Sequence, residues 1–231
     1  ILSSNLNSYS GNITVTDGTL RLGADNVIPN GVAIGNVVVN GTLDLNGKSE
    51  TVNGLSGAGK IDNLAAGTSS TLTVGSNNQT STFSGVMQNT GSTAILNLTK
   101  TGTGALVLGG VNTLSGAVTI NGGTLAFNKT NPLANASGIA MAGGTTLRPD
   151  VVSGVISVPI TLGATGTNAT INPPSIVGAG GTTPVPFTVS GAIGGDGSLV
   201  LKGIEATNAY GTINLNAASN YAGSVSYTHL R

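Results

Sequence analysis

The sequence predicts an all-β chain wound into a right-handed parallel β-helix. Three observations carry that expectation. A long phrase recurs at one fixed offset, a shorter period near twenty residues runs inside it, and no stretch has helical spacing.

The long phrase comes first. "SYSGNITVTDGTLRL" (8–22) aligns with "TLSGAVTINGGTLAF" (113–127) without a gap. Gly11 meets Gly116, Gly18 meets Gly123 and Leu20 meets Leu125, each 105 residues apart. The register survives the next stretch, where Asn26 meets Asn131 and Asn30 meets Asn135. A weaker third copy lies near the end. There "GDGSLVL" (195–201) echoes "GTGALVL" (102–108), and "YAGSV" (221–225) echoes "LSGAV" (114–118).

The short period gives the rung. Apolar triplets centre on Leu20, Leu43 and Ile61, then on Leu106, Leu125 and Leu147, in steps of 18 to 23 residues. One coil cannot bury its own apolar side. Stacked coils can, because each strand pairs with its copy above and below at about 4.8 Å. Roughly ten to twelve rungs would make a rod of about 50 Å. Leu20, Leu43, Leu106, Leu125 and Leu147 are expected inward, each worth about 1.5–3 kcal/mol when fully buried. Thr19, Thr42 and Thr124 are expected to stack through their hydroxyls. Gly18, Gly41 and Gly123 are expected at corners of positive φ. The right-handed sense follows from the strong preference of parallel crossovers. Residues 22–32 and 127–137 read as excursions with room for one helical turn. "NPPSIVGAGGTTPVPF" (172–187) holds four of the eight prolines. It reads as a loop or irregular rung, since proline cannot donate to a ladder.

Composition excludes several classes of function. Charged residues make up 7% of the 231, with eight Lys and Arg against eight Asp and Glu. Such a surface has no electrostatic footprint for nucleic acid or anionic lipid. Zero net charge with a mean hydropathy of +0.26 argues for folding rather than disorder. With three Phe, four Tyr and no Trp, the interior must be narrow and filled by aliphatics. The absence of cysteine removes disulfides, thiolate metal sites and cysteine nucleophiles. It also suits a chain that crosses a membrane unfolded through an oxidising compartment. No apolar run is long enough for a transmembrane helix. Residues 1–225 are expected to form one β-helical segment truncated at both ends. Residues 226–231, "SYTHLR", break the pattern and read as a non-native tail; they hold the only histidine, His229.

"LTKTGTGALVLGGVNTLSGAVTINGGTLAF" (98–127) resembles the passenger-associated repeat of bacterial autotransporters. That phrase has a Lys-x-Gly-x-Gly-x-Leu-x-Leu opening, here Lys100, Gly102, Gly104, Leu106 and Leu108. Its Asn-x-Tyr-x-Gly middle is Asn112 to Gly116, with Leu114 in place of the aromatic that Tyr9 and Tyr221 keep in the other copies. Its Gly-Thr-Leu close is Gly123, Thr124 and Leu125. "VNGTLDLNGKSETVNGLSGAGKI" (39–61) also resembles the family's text between repeats. The resemblance implies a passenger of a type V secretion protein, exported across the outer membrane to the cell surface or released. It implies a structural display role that contributes to adhesion. It also implies two kinds of partner, the protein's own C-terminal translocator barrel and ligands on host or neighbouring cells. Neither nucleic acid, nor membrane insertion of this segment, nor a cofactor belongs to that reading.

Candidate chemistry is thin. Arg21, Asp44 and Asp62 fall at the outward end of successive aligned triplets. Stacked carboxylates are what a glycosidase or polysaccharide lyase needs, so Asp44 and Asp62 carry the alternative reading of a carbohydrate-active enzyme. The competing reading is an exposed ion pair of small weight. No aromatic sugar platform lies near them. "GGDGSL" (194–199) resembles one calcium-binding Gly-Asp repeat, but a single copy cannot supply the 6–8 oxygen ligands. No glycine cluster opens a strand-loop-helix phosphate site. Seven Asn-x-Ser/Thr sequons (Asn12, Asn40, Asn78, Asn97, Asn128, Asn135, Asn168) are chance products of an Asn- and Thr-rich chain. His229 has no partner of known geometry. No catalytic, cofactor or metal residue is therefore assigned.

Overall fold

A computed structural model describes residues 1–151, 153–173, 187–202 and 213–228. Within them every regular element is a strand, there is no helix, and every strand pairing is parallel. A complete turn contributes three strands, as in Glu50–Val52, Leu55–Ser56 and Lys60–Asp62, followed by Ser69–Val74, Ser81–Phe83 and Val86–Gln88, while the turns that start at Ile95 and Ala117 contribute two. The chain is thus a solenoid with three faces.

The first face starts with Ile13–Val15, Val37–Val39 and Leu55–Ser56. A bridge from Gly57 to Phe83 carries it into a seven-stranded sheet that ends at Val225–Thr228. The third face is the other seven-stranded sheet, from Glu50–Val52 to Ile193–Gly195. The second face is interrupted. Thr19–Arg21, Thr42–Asp44, Lys60–Asp62 and Val86–Gln88 form one sheet, and Val155–Ile156, Phe187–Val189 and Ile213–Leu215 another. Non-strand segments fill the gap: Thr113 and Leu114 donate backbone N–H groups to the Met87 carbonyl, and Asn112 donates to Pro132.

The stack has about 8 turns, fewer than the ten to twelve expected. The reason is turn length. Leu106 to Leu125 takes 19 residues (125−106), but Ile160 to Ile193 takes 33 (193−160). The proline-rich stretch 172–187 lies inside that long turn. Its residues 174–186, and His229, lie outside the described residues.

Leu43, Leu106, Leu125 and Leu147 are fully buried, in ladders with their register partners. Leu20 also faces the core but is only half-buried, because its strand is the first of its sheet. All three Phe lie in the core. The excursions contain turns rather than a helical turn. Each drives an apolar side chain inward instead: Ile28 and Leu133, equivalent at the 105-residue offset, are both buried. Left-handed residues at Asn26, Gly31 and Ala33 keep the first from continuing as a helix.

Two further expectations need correction. Gly18 and Gly123 have positive φ, but Gly41 does not. Gly41 is required by close approach, since a Cβ there would lie 2.6 Å from the Gly18 carbonyl oxygen. Thr19 pairs with Thr42, but Thr124 sits on another face between Ala105 and Thr146. Among the described residues no hydroxyl bond joins Thr19 to Thr42. The segment Val225–Thr228 pairs with Ser198–Lys202, setting Tyr227 opposite Leu201 and leaving it 60% exposed.

Candidate functional site: the polar corners of the repeat

The repeat phrase becomes a set of corner devices. Leu96 and Leu98 alternate inward, and the same alternation brings Lys100 inside, 1% exposed. Its ammonium donates to the carbonyls of Thr101 (2.5 Å), Gly102 (3.0 Å) and Gly122 (3.2 Å). Those three acceptors match its three donors and tie one turn to the next. Burial lowers its pKa to about 8.

Asn112 replaces a strand residue by its side chain. Its Oδ1 accepts from the Met87 N–H (2.9 Å), while the Thr113 N–H donates to the Met87 carbonyl (2.9 Å). The third copy repeats the device with a shorter side chain. Ser219 Oγ accepts from the Ile193 N–H (3.3 Å) and the Asn220 N–H donates to the Ile193 carbonyl (3.0 Å). In the first copy Asn7 Nδ2 holds the Val27 carbonyl (2.9 Å), at the position where Asn112 N–H holds Pro132. Leu114, standing where the phrase has an aromatic, is fully buried; Tyr221 packs against the core and Tyr9 is 37% exposed.

The structure brings Arg21, Asp44, Asp62 and Gln88 together as one column, each the register partner of the next. The carboxylates are not an exposed pair: Asp44 is 0% and Asp62 2% exposed. Asp44 accepts from Arg21 Nε (2.7 Å), Asn46 N–H (2.9 Å) and Leu64 N–H (3.2 Å). Asp62 accepts from Gln88 Nε2 (2.6 Å), Thr90 N–H (2.9 Å) and Thr90 Oγ1 (2.9 Å). The chain turns a corner just after each Asp, and the carboxylate receives the N–H groups that the corner leaves free. With both oxygens so engaged, neither is presented to a substrate.

Three buried polar residues that bridge turns escape the sequence reading. Glu50 is 1% exposed and accepts from Val27 (2.8 Å), Ile28 (3.3 Å) and Thr51 (3.1 Å) N–H groups, pinning the first excursion. Burial raises its pKa to about 7 against those three bonds, with Asp25 adding to the rise. Burial, then the Glu50 charge, raises that of Tyr9. Asn53 holds Gly31 at both its N–H and its carbonyl, and also the Ile34 and Gly35 carbonyls. Asn63 joins Gly47 N–H to the Thr68 and Ile95 carbonyls. One signal was available. Glu50 and Lys100 sit in phase with inward Val52 and Leu98, so strict period-2 counting puts a charge inside.

Asp196, of the single Gly-Asp phrase, is an exposed corner residue. Among the described residues no group of acidic or histidine side chains is placed to hold a metal ion. These corners can fasten turn to turn; among them no nucleophile is set against a base.

The comparisons with known proteins agree with this geometry. Residues 1–22 and 98–127 match the model of the passenger-associated-transport-repeat. A stretch of 123 residues, 52% of this chain, is 37% identical to the adhesin BmaC autotransporter of Brucella suis biovar 1 (strain 1330). The stretch covers 4% of that protein's length. No solved structure matches. With its repeats seated at the corners of a parallel solenoid, the chain carries the passenger-associated-transport-repeat and is similar to part of an autotransporter passenger.

Proposed function

We propose that this segment is a structural spacer that displays the passenger at the cell surface and contributes to adhesion, without catalysing a reaction. Export across the outer membrane follows from its being part of such a passenger. One observation carries the structural part. The buried polar side chains Asp44, Glu50, Asn53, Asp62, Asn63, Lys100 and Asn112 all bond groups in the solenoid itself. Adhesion draws support from the Brucella relative, which is an adhesin. The expected partners are the protein's own translocator barrel and ligands on host or neighbouring cells.

The test is to delete turns 98–147 from the complete passenger and measure surface exposure and cell attachment separately. A spacer role predicts a shorter but exported passenger with weakened attachment. Unchanged attachment would remove the adhesive role. Asp44→Asn and Asp62→Asn should leave any glycan-degrading activity of the whole protein unaltered; loss of such activity would restore the enzyme reading.

A further inference from the structure

On the second face three corners stack directly: Asp17-Gly18-Thr19, Asn40-Gly41-Thr42 and Ala58-Gly59-Lys60. Their glycines lack side chains, so the corner sinks into an open groove of about 380 Å³ running along the rod. We propose that this groove binds a neutral, hydroxyl-rich glycan strand lying parallel to the rod axis. The proposal rests on the adhesion reading for where such a ligand is met.

The chemistry of the walls selects the class. Backbone donors at the groove are already engaged: Gly41 N–H donates to Val15, Thr42 to Gly18, Gly59 to Val39 and Lys60 to Gly41. Between these turns a peptide therefore has no free ladder to join, and the sheet's open edge at Thr19–Arg21 is only three residues long. Ala58 is the single apolar side chain in the lining, so a lipid or an apolar peptide side chain finds no seat. Asp17 and Lys60 cancel in charge, which gives no preference to an acidic or basic polymer. What the groove offers is hydroxyl, amide, carboxylate and ammonium groups. Among the described residues the side chains of Thr19, Thr42 and Lys60 make no hydrogen bond within the protein, and Thr19 and Lys60 are exposed. Thr19, Thr42 and Lys60 are successive register partners, spaced by the strand separation of about 4.8 Å. That column presents one polar group per turn to a polymer whose hydroxyls recur ring by ring. The glycine floor cannot be filled without disturbing the rod, since a Cβ on Gly41 or Gly59 runs into the carbonyl oxygen of the glycine one turn away. Without an aromatic platform each segment of glycan is held weakly, and affinity must come from strand length.

The experiment uses the purified chain, a panel of neutral linear oligosaccharides of gluco-, manno- and galacto-configuration, and one anionic and one cationic polysaccharide for comparison. Binding is read by saturation-transfer NMR, and by titration of the best probe. The expected result is binding by at least one probe that strengthens with length and weakens about tenfold in Thr42→Val/Lys60→Ala. Ala58→Met, at an exposed position, should block it while circular dichroism stays unchanged. Equal binding by all variants would overturn the groove as the site. Binding only by charged polysaccharides, or by none of the panel, would overturn the ligand class. Those failures leave the adhesion reading standing, because cell attachment of the complete passenger is measured separately.

Discussion

The first and second copies of the repeat differ in the face they occupy. In the first copy Ile13–Val15 lies on the first face and Thr19–Arg21 on the second. In the second copy Ala117–Ile120 lies on the third face and Thr124–Phe127 on the first. The offset of 105 residues is therefore not a whole number of turns. The phrase specifies a strand, a corner and a strand, and any side of the prism accepts it. The copies also differ in support. Gly116 and Gly123 have carbonyl oxygens of the neighbouring turn packed against them, whereas Gly11 and Gly18 meet nothing within 4 Å in this chain. The same words are tightly packed in the second copy and open in the first, where Gly18 is still required by its positive φ while Gly11 is not constrained.

The largest break in that comparison comes from paired leucines. Leu125→Asp puts an unpaired charge into a fully enclosed position and should cost about 4 kcal/mol or more. Leu20→Asp, half-exposed, should cost about 1 kcal/mol. Equal losses by thermal melting would show that position within the stack does not govern burial.

The buried ions come next, one pinning the first copy's excursion and one inside the second copy's phrase. The Glu50 pKa is raised, so the folded state holds its proton between pH 4.5 and about 7, and stability should fall as pH rises through that window, by roughly 2–3 kcal/mol in all. The Lys100 pKa is lowered, so its contribution is full above pH 10.5 and lost as pH falls through about 8. Together they predict a stability minimum near pH 7–8. Glu50→Gln should flatten the acid limb and leave the alkaline limb intact. A parent whose Tm climbs steadily from pH 5 to pH 7 would contradict the burial of Glu50.

Glycine sharpens the comparison at smaller scale. Gly116→Ala should cost about 2 kcal/mol, since the new Cβ meets the Leu96 carbonyl oxygen, and Gly11→Ala should lie within about 0.5 kcal/mol of the parent. The smallest difference between copies concerns the side-chain bridge. Asn112→Ala should cost about 1–2 kcal/mol by orphaning the buried Met87 N–H, and Asn112→Ser should recover part of it, as Ser219 does in the third copy. If serine performs no better than alanine, the two copies do not share the device.

Much of the fold was legible because β-solenoid packing writes itself into sequence locally. Leu43, Leu106, Leu125 and Leu147 each declare the inward face through alternation, and fixed spacing aligns them. The site was less legible. The triplet pattern places Asp44 and Asp62 outward, yet the corner after each folds back and encloses it. Lys100 was visible as part of the phrase but not as a cation inside the rod, because the carbonyls that receive it come partly from Gly122, in the next turn.

The sequence by itself determined the rung: its strands, its glycine and asparagine corners, and the side of each strand that faces inward. Those are decided within a few residues by the period-2 alternation of side chains and by local backbone sterics. Tertiary structure alone decided which of three faces each copy occupies, how many turns the chain makes, and which polar groups are buried. Face and turn number depend on the summed lengths of the excursions between strands. Burial of a charge depends on a neighbouring turn, about twenty residues or more away, supplying its hydrogen bonds.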